Sequence, residues 1–227
     1  MNLLALETAT DRCSVALRVG ERVCARVDER PRVHARRVLG MVEECLVEGG
    51  IGAHEVDAYA YGRGPGSFTG VRIGAGVVQG LAFGTGRPVV PVSTLAGHAV
   101  AAHRLHGAAQ TAVCVDARMG ECYWGLYRVP EDGLADALTP DALARPEALE
   151  LPRGVGWYGV GTGWARWPEL AAGLAAAAGF DATLLPEATD LLGLARRAFL
   201  EGASVSPAQA LPVYLREEVA WQGGSAS

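Results

Sequence analysis

Four polar segments of this chain have the residue types for chemistry, and each also has a plain structural reading. Glu7-Thr8-Ala9-Thr10 follows an apolar run. Two hydroxyls and several backbone N–H groups at such a turn can hold a phosphate, or the hydroxyls can simply satisfy neighbouring backbone groups. Gly62-Arg63-Gly64-Pro65-Gly66-Ser67-Phe68-Thr69-Gly70 reads as a fixed turn before a helix that Ser67 or Thr69 can cap. Free N–H groups at a helix start attract anions. The spacing matches neither the dinucleotide fingerprint nor the P-loop, and a turn that only places the helix fits as well. Asp116-Ala117-Arg118-Met119-Gly120-Glu121 sets two carboxylates beside a turn, usable as acid and base or paired in a salt-bridged hairpin. His98, His103 and His106 lack any HxxxH or HExxH spacing and any carboxylate in register, so no metal site is expected.

Composition removes several chemistries outright. The 20 basic residues are all Arg, which excludes a P-loop lysine, a Schiff-base lysine and a Ser-Lys dyad. No GxSxG elbow occurs. The net charge of −5 opposes tight nucleic-acid binding by the chain alone, because phosphate neutralisation drives that affinity. Cys13, Cys24, Cys45, Cys114 and Cys122 are odd in number and form no CxxC, the pattern of reduced, buried thiols in a cytosolic protein. The first six residues are apolar but have no basic flank, so no signal peptide is expected. The uncharged, glycine-rich stretch Ile73 to Gly86 is too short to span a bilayer.

The elements that must hold these segments can be read from periodicity. Asn2–Leu6, Cys13–Val19 and Arg22–Asp28 read as a strand meander. A helix from Val33 to Glu48 ends at Gly49-Gly50, and Val56–Tyr61 is a strand. A helix from Gly70 to about Phe83, a strand Pro88–Val92 and a Ser93-capped helix to His106 complete a β-β-β-α-β-α-β-α unit. The pattern restarts with strands Thr111–Asp116 and Cys122–Val129. Loops with one or two short helices fill Pro130 to Pro152, then come a strand Val155–Val160 and helices Glu169–Ala178 and Ala188–Glu201. At 227 residues, this suggests an α/β chain of two related lobes, 1–106 and 107–203. Residues 204–227 form a packed tail, frayed at its end.

Two helices have more apolar surface than one core needs. In the second, Gly70 and Gly74 are four apart, as are Gly76, Gly80 and Gly84, and Ile73, Val77, Val78, Leu81 and Phe83 fill the rest. A helix apolar all round must be covered on both sides, by this protein's own elements or by a partner. In the first, Val38, Leu39, Met41, Val42, Cys45, Leu46 and Val47 make a stripe broader than one core face. Arg30, Arg32, Arg36 and Arg37 crowd its start while Glu43, Glu44 and Glu48 sit near its end, against the helix dipole. An acidic partner, an RNA phosphate or a solvated charged face would each account for that order.

Taken together, Leu3-Leu4-Ala5-Leu6-Glu7-Thr8-Ala9-Thr10 and Gly64-Pro65-Gly66-Ser67-Phe68-Thr69-Gly70-Val71-Arg72-Ile73-Gly74 resemble the bacterial TsaB (YeaZ) family. Val92-Ser93-Thr94-Leu95, the Asp116–Glu121 segment and Pro212-Val213-Tyr214-Leu215-Arg216 agree with it. The resemblance is strong over residues 1–125 and sparse after them. It implies an actin-like ATPase fold (ASKHA, ribonuclease H-like) of two βββαβα-type lobes. It also implies a cytoplasmic, non-catalytic subunit that binds the transferase TsaD, and with it the ATPase TsaE. The product is N6-threonylcarbamoyladenosine in tRNAs that read codons starting with A.

The resemblance further implies a TsaD interface on the first two helices, at Val38, Met41, Val42, Cys45, Leu46, Gly70, Ile73, Gly74, Val77, Gly80 and Leu81. It implies a homodimer through the same helices when TsaD is absent, and tRNA contact only through the complex. The HxxxH metal pair of TsaD aligns with Thr94 and His98, so half of it is gone and a peptidase reading loses its metal. Glu7, Thr8, Thr10, Gly161 and Gly163 keep parts of a nucleotide site, but Asp116–Glu121 looks crowded. Weak or absent ATP or ADP binding is expected, with no required cofactor. The alternative is an independent ASKHA-class, ATP-dependent small-molecule enzyme, which needs tight ATP and a carboxylate base such as Glu7 or Asp116.

Overall fold

A computed structural model of the chain describes residues 1–30, 32–174 and 178–216. β1 (Asn2–Glu7), β2 (Cys13–Val19) and β3 (Arg22–Asp28) form the expected antiparallel meander. β4 (Ala58–Gly62) and β5 (Val89–Val92) join in parallel, giving the order β3-β2-β1-β4-β5. Parallel neighbours need long crossovers. These are α1 (His34–Gly49) and α2 (Phe68–Thr85), while α3 (Thr94–His106) leads to the second sheet. Ser67, rather than Thr69, caps α2 by accepting from the Gly70 N–H, and Ser93 caps α3 through Ala96 N–H. Gly50, Gly86 and Gly107 end the three helices in the left-handed conformation that favours glycine.

The second sheet repeats this plan. β6 (Gln110–Asp116), β7 (Cys122–Arg128) and β8 (Asp136–Ala137) are antiparallel, and β9 (Ala142–Ala144) also pairs with β7. β10 (Trp157–Val160) and β11 (Gly179–Asp181) add in parallel, giving β11-β10-β6-β7-β8. With β9 set aside, both sheets place their strands in the order third, second, first, fourth, fifth. This is an actin-like (ASKHA, ribonuclease H-like) α/β fold of two lobes. The second lobe has loops and a single 3-10 turn, Pro146–Ala148, where the first has α1.

α3 and α6 (Ala188–Leu200) lie between the sheets in one core with Leu3, Ala60, Val92, Val113 and Val160. α1 and α2 cover the outer face of the first sheet over Leu4, Leu6, Val15, Leu17 and Tyr61. α4 (Gly163–Arg166) and α5 (Pro168–Gly173) border the outer core of the second sheet, around Trp124, Trp157 and Trp164. All five cysteines are free and buried, as the sequence suggested.

Two expectations change. The helix expected over Glu169–Ala178 is α5, which starts at Pro168, and residues 175–177 lie outside the described residues. Pro168 forces Trp167 out of helical geometry and so separates α4 from α5. The 106/107 boundary separates the two sheets but not the helices, because α6 packs on β1, β2, β4 and β5. Residues 107–203 are therefore not a self-contained lobe.

The tail does pack. Val205 exchanges two backbone hydrogen bonds with Val89, and Val213 N–H donates to Arg63 O at 2.9 Å. Its expected frayed end, from residue 217, lies outside the described residues. No described helix is long and apolar enough to cross a membrane.

Candidate functional site

The first hairpin turn is packed from above by the glycine-rich loop. Glu7 is fully buried at the end of β1 and accepts from Ala9 N–H at 2.6 Å and the Thr94 hydroxyl at 3.1 Å. Burial pushes its carboxyl up to about 7, against the lowering effect of those bonds. Thr8 donates its hydroxyl to Gly70 O at 2.8 Å. Ser67 N–H donates to Ala9 O at 2.7 Å, so a loop N–H that a phosphate would need is already used. Thr10 Oγ1 accepts from Arg12 N–H at 3.2 Å. Arg12 pairs with Glu29 at 2.7 Å and with Glu187 at 2.9 Å, tying the turn to the start of α6.

The glycines of the loop are there for close approach. A Cβ on Gly62 would overlap the Glu7 carboxylate, on Gly66 the Ala9 carbonyl, and on Gly70 the Thr8 carbonyl. On Gly74 it would stand 2.6 Å from the Thr8 hydroxyl oxygen. Gly161 and Gly163 do the same in the second lobe, seating their loop on Cys114 of β6. Of the residues expected to hold nucleotide, Glu7, Thr8 and Thr10 lie at the end of β1 and in the turn after it, and Gly161 and Gly163 lie between β10 and the start of α4. No hydrogen bond among the described residues joins the two groups.

The Asp116–Glu121 turn is a salt-bridged hairpin. Arg118 and Met119 are non-glycine residues in the left-handed region, at φ 65° and 57°. Arg118 N–H donates to Asp116 at 2.8 Å. Arg216, from the tail, pairs with Glu121 at 2.6 Å and also donates to the Ala117 and Arg118 carbonyls. Both carboxylates are thus engaged within the chain. His98 is buried in α3 with Nδ1 at 3.0 Å from Thr94 O, so Nδ1 carries the proton and Nε2 presents a bare lone pair. Desolvation lowers its pKa to about 4, and it is neutral at pH 7. Among the described residues no group of three His, Cys, Asp or Glu could hold a metal ion.

The outer surface of α1 and α2 is the remaining candidate. Val38, Met41, Val42 and Cys45 face the first sheet and are buried. They were expected at a partner interface and are instead core, because the sheet takes the inner half of the broad stripe. Gly70 and Gly74 are corrected in the same way, since they face Thr8. Leu46, Ile73, Val77 and Leu81 are half-buried, and Gly80 is exposed with nothing within 4 Å of a built Cβ.

The residues expected at the interface did not include Leu39, Val47, Gly76, Phe83 and Gly84, although the sequence marked all five as apolar or glycine surface of these helices; Val47 is 76% and Phe83 83% exposed. The four-residue spacing of Gly76, Gly80 and Gly84 was the signal on α2, and the breadth of the apolar stripe was the signal on α1. Two of the four arginines at the start of α1 are paired within the chain, as is Arg26 of β3. Arg30 pairs with Asp28, Arg37 with Asp28 and Glu44, and Arg26 with Glu44 and Glu48.

Comparison with known proteins places this arrangement. The family model described as TsaD, tRNA N6-adenosine threonylcarbamoyltransferase, matches residues 28–184. The tRNA threonylcarbamoyladenosine biosynthesis protein TsaB of Escherichia coli (strain K12) is 44% identical over 225 residues, 98% of this chain and 97% of that protein. The chain belongs to the TsaB (YeaZ) family. The solved structure of YeaZ from Pseudomonas aeruginosa superposes with a TM-score of 0.87 at 46% identity, covering 94% of this chain and 99% of that one. A tRNA N6-adenosine threonylcarbamoyltransferase of Cereibacter sphaeroides is 38% identical over 101 residues, 44% of this chain but 28% of the transferase. This chain and that transferase are thus similar over a segment of 101 residues.

Proposed function

We propose that this TsaB-family chain is the non-catalytic, activating subunit of a complex that forms N6-threonylcarbamoyladenosine in tRNAs reading codons that start with A. Its direct partner is TsaD, bound through the outer face of α1 and α2, and TsaE joins the pair. The observation that carries this reading is that face. Leu39 and Val47 of α1 and Phe83 of α2 stand exposed, and Gly76, Gly80 and Gly84 of α2 have nothing within 4 Å of a built Cβ, so another helix can approach α2 at backbone distance. The opposite, inner face of the same helices already fills the core, so the exposed side is surplus to folding.

The inward-turned chemistry supports a supporting role. Glu7, Thr8, Asp116 and Glu121 are each engaged within the chain, and His98 has no second ligand beside it. The chain requires no cofactor and binds ATP or ADP weakly at most. Without TsaD it covers the same face by forming a homodimer. tRNA reaches it only in the complex, which works in the cytoplasm.

The test is reconstitution with purified TsaD and TsaE, unmodified tRNA, threonylcarbamoyl-AMP and ATP, with and without this protein. Modification that depends on the chain, together with no turnover by the chain alone, is the expected result. Equal modification without it would overturn the proposed role.

A further inference from the structure

Between the lobes, away from the hairpin turns, lies a cleft of about 490 Å³, within the range of small-ligand sites. Arg63 lies on one side of it. Its side chain makes no hydrogen bond or ion pair among the described residues, and its Nε is shut off from solvent with no partner. A dehydrated guanidinium edge without a counter-charge is unfavourable in isolation. The Arg63 backbone is held in place, because its N–H donates to Val92 O at 2.8 Å and its carbonyl accepts from Val213. Arg197, the other basic residue of the lining, is already paired with Asp136 at 3.0 Å.

Asp141 provides the opposite charge in the same lining. Ser93 donates its hydroxyl to Asp141 Oδ2 at 2.7 Å, and the Tyr127 hydroxyl donates to Oδ1. Ser93 is itself fixed as the cap of α3, accepting from Ala96 N–H at 3.2 Å. Tyr127 is buried, and burial together with Asp141 raises its pKa, so it remains a donor. A carboxylate has about four lone-pair positions, so two hydroxyls orient Asp141 without exhausting it. Arg63 and Asp141 share the cleft without forming an ion pair. The wall around them is largely apolar, with Val92, Leu194, Ala198 and Val213.

We infer that this cleft binds a small zwitterion, an α-amino acid with an uncharged side chain, its carboxylate on Arg63 and its ammonium on Asp141. A plain anion would meet Asp141 and a plain amine would meet Arg63, so neither satisfies both charges. The apolar residues of the wall accept the side chain, while Arg197, paired with Asp136, and Glu201 are the other charged residues of the lining. The site is distinct from the α1–α2 face and does not depend on the chain having a partner.

The experiment uses the full ¹⁵N-labelled chain alone, followed by NMR during titration with glycine, L-alanine, L-threonine and L-leucine, and separately with sodium acetate and methylammonium chloride. Saturable shifts at Val92, Ser93 and Asp141 are expected for at least one amino acid at ~10 mM or below. Acetate, methylammonium and the variants Arg63→Gln and Asp141→Asn should each bind about tenfold more weakly or worse, the loss of one charge-assisted contact. Ala198→Leu touches neither charge and should also block binding by filling the cleft, which separates occupancy from any disturbance of the Asp141 network. No saturable shift with any amino acid, acetate binding as tightly as the amino acids, or unchanged affinity in Arg63→Gln would each overturn the inference.

Discussion

Gly74 of α2 stands so close to Thr8 of the first hairpin that a Cβ on it would lie 2.6 Å from the Thr8 hydroxyl oxygen. That hydroxyl is itself fixed by its bond to Gly70 O. Two residues on, Gly76 has nothing within 4 Å. The two glycines therefore respond oppositely to the same substitution. Gly74→Ala should lose about 1–2 kcal/mol net, since overpacking exceeds the gain in helix propensity. Gly76→Ala should gain up to about 1 kcal/mol. Urea unfolding of the two variants reads the sign, and equal effects would contradict the packing.

Glu7 gives the fold a pH dependence. Its folded pKa, about 7, lies above the ordinary 4.5, so the fold favours the protonated acid. The stability tied to this group is complete below pH 4.5 and is lost as pH rises through 7. Glu7→Gln keeps an acceptor for Ala9 N–H and offers an N–H to Thr94, without the charge. Its stability relative to the parent should rise between pH 4.5 and about 8 by up to about 3 kcal/mol. Parallel stability curves over that range would rule out Glu7 as the source.

These two sites show what was legible and what was not. The first-lobe strands and helices could be read because they are long and punctuated: Ser67 and Ser93 start helices, and Gly50, Gly86 and Gly107 stop them. β8, β9 and β11 were missed because two or three residues carry no periodicity. Which face of α1 turns inward was also unreadable, since apolar residues occupy most of its circumference. Only packing shows that Met41 and Cys45 face the sheet while Leu39 and Val47 face out. Gly70 and Gly74 looked equivalent to Gly80, and the difference is a neighbour 62 or more residues away, Thr8.

The α1–α2 surface yields a paired prediction. Gly80→Arg places a long charged side chain on open surface, so the chain should stay folded while binding to purified TsaD falls below detection. Val77→Asp, on a half-buried position of the same face, should act in the same direction. Met41→Ala opens a core cavity and should cost about 2–5 kcal/mol of stability. Any loss of TsaD binding in that variant should follow the loss of folded protein. Melting temperature and binding measured on the same samples separate the cases. Full-affinity binding by Gly80→Arg would move the interface elsewhere.

The hairpin turns set the expectation for nucleotide. A phosphate at Thr8–Thr10 would have to displace the Thr8–Gly70 and Ser67–Ala9 bonds and open glycine contacts that leave no room for a methyl group. Each such bond is worth about 1 kcal/mol net, and breaking several erases most of a phosphate's binding energy. In the second lobe, Arg216 already occupies Glu121. Calorimetric titration of the isolated chain with ATP and magnesium should therefore give no binding tighter than ~100 μM, and no ADP should be released on incubation. Arg216→Ala frees Glu121 without touching the first turn, and should leave that result unchanged. Micromolar binding with turnover by the unmodified chain would show instead that these turns open, and would favour the independent enzyme.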